Sequence, residues 1–268
     1  MADFSGLSGL PFVAAGMRPI GDGFDTRVYV SSDGWVLKVA KYSDVLPRLV
    51  RERDVLRYLP KISVETPGGY EIIDRSSVLP FGGSYYRQIE GRPCTTLTED
   101  QQRQLGQLMV EIHELVPHRS FPAKPVHHLY WSGFAPYLSE AERQTLRRLF
   151  DRYPSKYAVV RWVHGDIWPE NLIERDGRLV GLLDWAQCGV GDVADDFAGL
   201  AYLPDSVLDG VLRAYLDAGG TVGSEFRQRL LLARLRRELS GLRHAILHPQ
   251  LGELAESLAK VRGVLSVT

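Results

Sequence analysis

The sequence predicts an α+β chain of two lobes, a small β-rich N-terminal lobe with one helix and a larger, mostly helical C-terminal lobe. Three observations predict it. Up to residue 90 apolar residues alternate in short runs interrupted by one helical pattern. From Thr98 onward capping signals open amphipathic helices. Among those helices a single β-hairpin signal surrounds Asp176-Gly177.

The N-terminal lobe, residues 1–90, begins with short β-rich runs at Met17–Ile20, Thr26–Val30 and Gly34–Ala40, and Asp33-Gly34 supplies a hairpin turn. The period of two puts Trp35, Leu37 and Val39 on one face and Val36, Lys38 and Ala40 on the other. A helix follows from about Asp44, with Ser43 or Asp44 as its cap, Pro47 in the first turn and a stripe of Leu49, Glu52, Leu56 and Leu59. Glu52 interrupts that stripe. A carboxylate on the buried side of a helix needs a cationic or hydrogen-bonding partner, and Lys38 is the nearest candidate. Two further strands are expected at Tyr70–Asp74 and Ser84–Ile89, and Glu90-Gly91-Arg92-Pro93 breaks the pattern at the lobe boundary.

The C-terminal lobe, residues 91–268, opens with the capping box Thr98-Glu99-Asp100-Gln101, followed by Leu105, Leu108, Met109, Ile112 and Leu115 on one helix face. Ser139-Glu140-Ala141-Glu142 opens a second helix carrying Leu146, Leu149 and Phe150. After residue 204 come three amphipathic stretches, the first closed by Gly219-Gly220. Between these regions the apolar run Tyr157–Val163 leads into His164-Gly165-Asp166-Ile167-Trp168-Pro169-Glu170-Asn171. Leu172–Glu174 and Leu179–Leu183 then flank Asp176-Gly177, so a hairpin ends on Asp184-Trp185.

Composition narrows the class. With 32 basic and 33 acidic side chains the formal charge is −1, which gives no broad electrostatic footprint for nucleic acid or an anionic membrane. No apolar stretch of about 18 residues is present to span a bilayer, and the start of the chain lacks a secretory pattern. The two cysteines, Cys94 and Cys188, lie outside any metal-ligand spacing. The expectation is a cytoplasmic protein, a monomer or weak dimer, with no nucleic-acid or membrane partner.

Asp166, Asn171 and Asp184 form an oxygen-rich set that suits a hard cation, because magnesium takes carboxylate and amide oxygens and keeps waters and phosphates as its other ligands. With Asn171 and Asp184 holding the ion, Asp166 is free to accept the proton of an attacking hydroxyl. Lys38 then neutralises the α- and β-phosphates, and Glu52 fixes the lysine.

The run from His164 to Asn171, with Asp184 downstream and Lys38 and Glu52 upstream, resembles the aminoglycoside phosphotransferase family. The likeness covers nearly the whole chain, with Gly191-Asp192 and Asp196-Phe197-Ala198 matching the segment after the metal aspartate. It implies the bilobal protein-kinase-like fold, ATP or GTP as donor with Mg2+, Asp166 as catalytic base and Asn171 and Asp184 as metal ligands. It also implies Lys38 paired with Glu52 over the phosphates, Gly21-Asp22-Gly23 as phosphate loop, and Tyr86–Gly91, including Gln88 and Ile89, as the hinge whose backbone meets the purine. The sequence departs from protein kinases at Trp185, where they carry Phe, and at Gly165, where they carry Arg. Gly191-Asp192 follows Asp184 too closely for a long peptide-docking segment.

These features predict a small-molecule O-phosphotransferase with a hydroxyl acceptor, and the resemblance implies an antibiotic such as an aminoglycoside or macrolide. The alternatives are a kinase of an amino alcohol, amino acid or sugar, and a non-catalytic nucleotide-binding module. ATP is preferred to GTP, with Tyr86 as the residue ahead of the hinge. His164 is read as a structural loop residue; His113 and the pair His127-His128 as core or surface histidines; Trp168 and Trp185 as either pocket lining or packing. Asp192, Asp195 and Glu238 are available to a cationic acceptor. The basic stretch Arg227–Arg243 is read as a solvated helix face.

Overall fold

A computed structural model describes residues 4–116, 131–152, 158–249 and 252–266. In chain order the first elements are β1 (Arg18–Asp22), β2 (Thr26–Val30), β3 (Trp35–Ala40), α1 (Leu46–Tyr58), β4 (Gly68–Ile73), β5 (Gly83–Arg87) and β6 (Arg92–Pro93). Then follow α2 (Glu99–His113), α3 (Glu140–Arg152), β7 (Val160–Val163), β8 (Leu172–Arg175), β9 (Arg178–Leu182) and β10 (Gly189–Asp192). The chain closes with α4 (Ala194–Phe197), α5 (Asp205–Asp217), α6 (Phe226–Leu247) and α7 (Leu254–Leu265). The class is α+β, as the sequence predicts. No helix among the described residues is long and apolar enough to cross a membrane.

These elements divide into two compact units. The first takes the described residues of Met1–Thr95 with Glu170–Cys188, and the second takes Thr96–Leu115, those up to Pro169, and Gly189 onward.

In the first unit β1 to β5 form an antiparallel sheet in the order β1-β2-β3-β5-β4. The alternation read from the sequence is observed on β3. Trp35, Leu37 and Val39 pack with Phe4, Phe12, Met17 and Leu79, while Val36 packs with Tyr70 and Tyr86 on the opposite face. Ala40 joins Val45 and Leu49 beside α1. That helix differs from expectation at both ends. It starts at Leu46 behind Val45, whose side chain has no acceptor to cap it, and the Asp44 carboxylate meets Arg48 at 3.4 Å. Its buried positions are Leu49, Glu52 and Val55, and Leu59 lies just past its last turn. A small sheet in the order β6-β8-β9 completes the unit. The β8–β9 turn has Asp176 at φ 52° and Gly177 at φ 77°, the two left-handed residues that a tight hairpin turn requires.

In the second unit α2 opens on the expected capping box, the Thr98 side chain accepting from the Gln101 amide and the Gln101 side chain accepting from the Thr98 amide. The approach of α2 to α5 depends on Gly106, where a Cβ would stand 2.6 Å from the Tyr215 nitrogen. Phe134, Leu138, Leu146, Leu235, Leu239, Leu242, Val261 and Val264 form the core of α3, α6 and α7. A two-stranded ribbon of β7 and β10 flanks the polar loop that begins at His164. His127 and His128 lie outside the described residues.

Candidate active site

Lys38 occupies the centre of β3, opposite Val28 on β2 and Ser84 on β5, and its side chain is buried. Its ammonium donates to both oxygens of Glu52 on α1, at 3.3 and 3.0 Å, and to Asp184 Oδ1 at 3.0 Å. Three elements far apart in sequence thus share one cation. Tyr70 donates its hydroxyl to Glu52 Oε2 at 2.7 Å and accepts from Ser84 at 2.8 Å, so the buried carboxylate has a second, neutral donor. Burial by itself would push the Lys38 ammonium down, but the carboxylates of Asp184 and Glu52 outweigh it and hold the group well above the usual lysine range. Glu52 moves the other way. Burial raises its carboxyl, Lys38 pulls it down, Asp184 pushes it up again, and the net displacement is upward.

Asn171 and Asp184 stand at one end of the β8–β9 hairpin, where the Leu183 amide donates to the Asn171 carbonyl at 2.8 Å. Asp184 takes a left-handed conformation (φ 65°), uncommon outside glycine and frequent where a side chain is aimed for function. Arg51 on α1 ties down the following turn, donating to the carbonyls of Ala186 at 2.7 Å and Cys188 at 2.5 Å. The cluster carries two carboxylates for one ammonium, and the Asp184 side chain is 47% exposed where Glu52 is enclosed. A carboxylate with an open side offers oxygen donors to a hard cation such as magnesium, which needs few protein ligands. Among the described residues no group of three or more His, Cys, Asp or Glu side chains converges as a metal site.

The remaining residues expected around a nucleotide in this unit are Gly21, Gly23, Gln88 and Ile89. Gly21 ends up within β1 and Gly23 in the β1–β2 turn; neither has a positive φ, and an added Cβ would meet only ordinary contacts at 3.7 and 3.5 Å. Local folding therefore does not require glycine at either position. Gln88 is exposed and its amide is committed to the Gly34 carbonyl at 3.0 Å, while Ile89 is buried.

Asp166 belongs to the second unit, in a loop held by a buried network. The carboxylate of Asp196 on α4 accepts the amides of His164 at 3.0 Å and Gly165 at 2.5 Å. His113 on α2 lies 3.0 Å from the same carboxylate through Nε2 and 2.8 Å from the Tyr215 hydroxyl through Nδ1. The His164 ring accepts the Asp166 amide at 3.2 Å, which is the structural role read from sequence. Burial would raise the Asp196 carboxyl, but the hydrogen bond and charge of His113, with His164 and the Gly165 amide, hold it below the ordinary aspartate range.

Arg237 on α6 donates to Asp166 Oδ1 and stands 5.4 Å over the Trp168 ring, a partner that the sequence reading did not name. One expectation is corrected here. Arg227–Arg243 is not a solvated face, because Arg229 is buried against Asp192 and Arg236 meets Asp195 at 2.6 Å. Spacing showed a basic helix, but only its acidic neighbours determine where the heads go. The sequence reading also missed Tyr70 and Ser84 behind Glu52, and Asp196 as the loop anchor. Asp196 is marked only as part of the Asp196-Phe197-Ala198 match, and an acidic pair ahead of Phe197 does not say which of the two turns inward.

A family model described as APH, phosphotransferase enzyme family, matches residues 16–232. Among solved structures, the GDP and kanamycin complex of APH(2")-IIia superposes with a TM-score of 0.76 at 16% identity, covering 95% of this chain and 94% of that one. The macrolide 2'-phosphotransferase MphH from Brachybacterium faecium gives 0.67 at 20% identity, covering 97% and 96%. The aminoglycoside 2'-phosphotransferase-IIIa in complex with GDP gives 0.74 at 17%, covering 94% and 92%. A curated relative, the uncharacterized protein YcbJ of Bacillus subtilis (strain 168), is 34% identical over 70 residues, a match spanning 25% of this chain and 23% of that relative.

Proposed function

From the membership of this chain in the phosphotransferase enzyme family, with its protein-kinase-like fold, we propose that it transfers the γ-phosphoryl group of ATP, or of GTP, to a hydroxyl of a small molecule. The observation that carries the reading is the buried Lys38 ammonium gripped by Glu52 and Asp184, a cation fixed by two carboxylates from distant elements. In this reading Lys38 meets the α- and β-phosphates, and Glu52 with Tyr70 keeps its side chain in place. Asn171 and Asp184 would hold Mg2+, which supplies charge neutralisation at the phosphates. Gly21 and Gly23 leave the β1–β2 turn open to the triphosphate, and the segment around Gln88 and Ile89 meets the base.

Asp166 accepts the proton of the attacking hydroxyl. A bond forms between the acceptor oxygen and the γ-phosphorus, the bond from that phosphorus to the β–γ bridging oxygen breaks, and the nucleoside diphosphate leaves. The test is acceptor-dependent release of nucleoside diphosphate. Asp166→Ala should lower turnover by about 10²–10⁴-fold, the range for loss of general base assistance, and equal rates would remove Asp166 from this role. A nucleotide that raises the melting temperature yet is never turned over with any acceptor would support the alternative, a non-catalytic nucleotide-binding module.

The solved relatives include a kanamycin complex and a macrolide 2'-phosphotransferase, which supports an antibiotic as acceptor. One observation favours the second reading, a metabolite. A cationic drug needs carboxylates without cations of their own, whereas Asp192 and Asp195 are matched by Arg229 and Arg236. A cytoplasmic monomer or weak dimer accords with this function.

A further inference from the structure

We propose that the acceptor carries a carboxylate, received by Arg234 on α6; this deepens the kinase reading above and rests on it. The observation is an arginine without a counter-ion beside the candidate base. Arg234 and Arg237 are three residues apart on one helix and project on the same side. Both guanidinium groups lie over the ring of Tyr202, at 5.1 and 5.9 Å, and that residue is 42% exposed. Arg237 is committed to Asp166. Arg234 has no hydrogen-bond or ion-pair partner among the described residues, and its Nε is buried without one.

The pairing of the neighbouring arginines singles out Arg234. Asp166 is matched by Arg237, Asp192 by Arg229, Asp195 by Arg236 and Asp196 by His113. Tyr202 donates its hydroxyl to the buried Glu238, which leaves the ring face free for the guanidinium groups. Among the described residues Glu238 has only the neutral Tyr202 hydroxyl as its hydrogen-bond partner, so the carboxylates here are not outnumbered. What sets Arg234 apart is that it alone of these guanidinium groups has no ion pair among the described residues, and an anion is the ligand such a group takes. A single planar fork that is already half desolvated matches a carboxylate bidentately. A phosphate dianion would need a second cation, and Arg237 is occupied. A hydroxy acid bound at Arg234 would have its hydroxyl directed to Asp166 along the surface of Tyr202 and Trp168, and the transfer step is the one written above.

The experiment uses the full chain with MgATP and acceptor pairs that differ only in the carboxylate: L-serine and ethanolamine, D-glycerate and ethylene glycol, L-homoserine and 3-aminopropan-1-ol. Kanamycin is the polycation control. At least one acid should be favoured over its partner in kcat/KM by about 10- to 100-fold, the worth of a hydrogen bond to a charged group. In Arg234→Met that preference should fall to within roughly 3-fold through KM, and Arg234→Lys, which keeps the charge and loses the fork, should retain part of it. A merely structural role would lower both members of each pair equally, and that result overturns the proposal. So does the absence of turnover with every acid, or turnover of kanamycin that Arg234→Met leaves unchanged. Asp166-dependent phosphorylation of kanamycin or of a neutral alcohol would leave the kinase reading standing while this one falls. If no acceptor is turned over and MgATP leaves the melting temperature unchanged, both readings fall.

Discussion

Two fully buried carboxylates, one in each unit, respond to burial in opposite directions. Glu52 is pushed up and Asp196 is held down. Both sit next to a basic side chain, so burial and a partner alone do not separate them. The difference lies in who else draws on the partner. Glu52 shares Lys38 with Asp184, and its other hydrogen bonds come from the Tyr70 hydroxyl and a long contact to the Trp185 amide at 3.4 Å. Asp196 has His113 and two loop amides directed at its oxygens. A carboxylate surrounded by donors is stabilised as an anion, and one that competes for a cation is not. The first arrangement holds a loop in place. The second leaves a cluster one positive charge short, which suits a site that receives a cation.

The comparison can be broken most sharply at Asp196. Asp196→Ala leaves the His113 ring and the amides of His164 and Gly165 without their acceptor, and should cost about 3–5 kcal/mol, as when one partner of a buried pair is removed. Urea denaturation measures this, and a loss below about 1 kcal/mol would show that the network does not anchor the loop. Glu52→Gln keeps the shape and leaves Lys38 with Asp184. Its expected cost is smaller, about 1–3 kcal/mol, with a larger effect on nucleotide turnover than on the melting temperature. Tyr70→Phe removes only the hydroxyl between Ser84 and Glu52 and should cost about 0.5–1.5 kcal/mol.

The smallest effect is confined to acid pH and tests the sign of each shift. With its folded carboxyl below 3.8, Asp196 lets the unfolded chain take up the proton first, so its contribution is complete above 3.8 and is lost as pH falls through the depressed value. Glu52, raised above 4.5, takes up its proton first in the folded chain, so its contribution improves as pH falls through the raised value toward 4.5. Stability followed by denaturation across acid pH should therefore fall less steeply below about pH 4 in Asp196→Asn, and more steeply above it in Glu52→Gln. Parallel curves for both variants and the parent would contradict the assignment.

Much of this was legible in the chain. Alternation on β3 placed Lys38 on the face with Val36 and Ala40, and a glutamate in an apolar stripe predicted a partner for it, which the 3.0 Å contact bears out. The turn at Asp176-Gly177 brought Asn171 and Asp184 to one hairpin end. The cap of α1 was misread because Asp44 had two possible uses, and local sequence does not rank an amide against Arg48. The arginines of α6 were misread because helical spacing says which side chains share a face and nothing about what that face meets.

By itself the sequence determined the fold class, the strand that carries Lys38, the helix that carries Glu52, and the loop that carries Asp166. These depend on periodicity, caps and turns, which act over a few residues. Only the tertiary structure decided that Asp184 shares the lysine, that Asp196 and not Asp195 holds the loop, and that Arg237 is engaged while Arg234 is not. Such pairings join elements far apart along the chain through long side chains, and they are settled by which charged heads packing brings within hydrogen-bond reach.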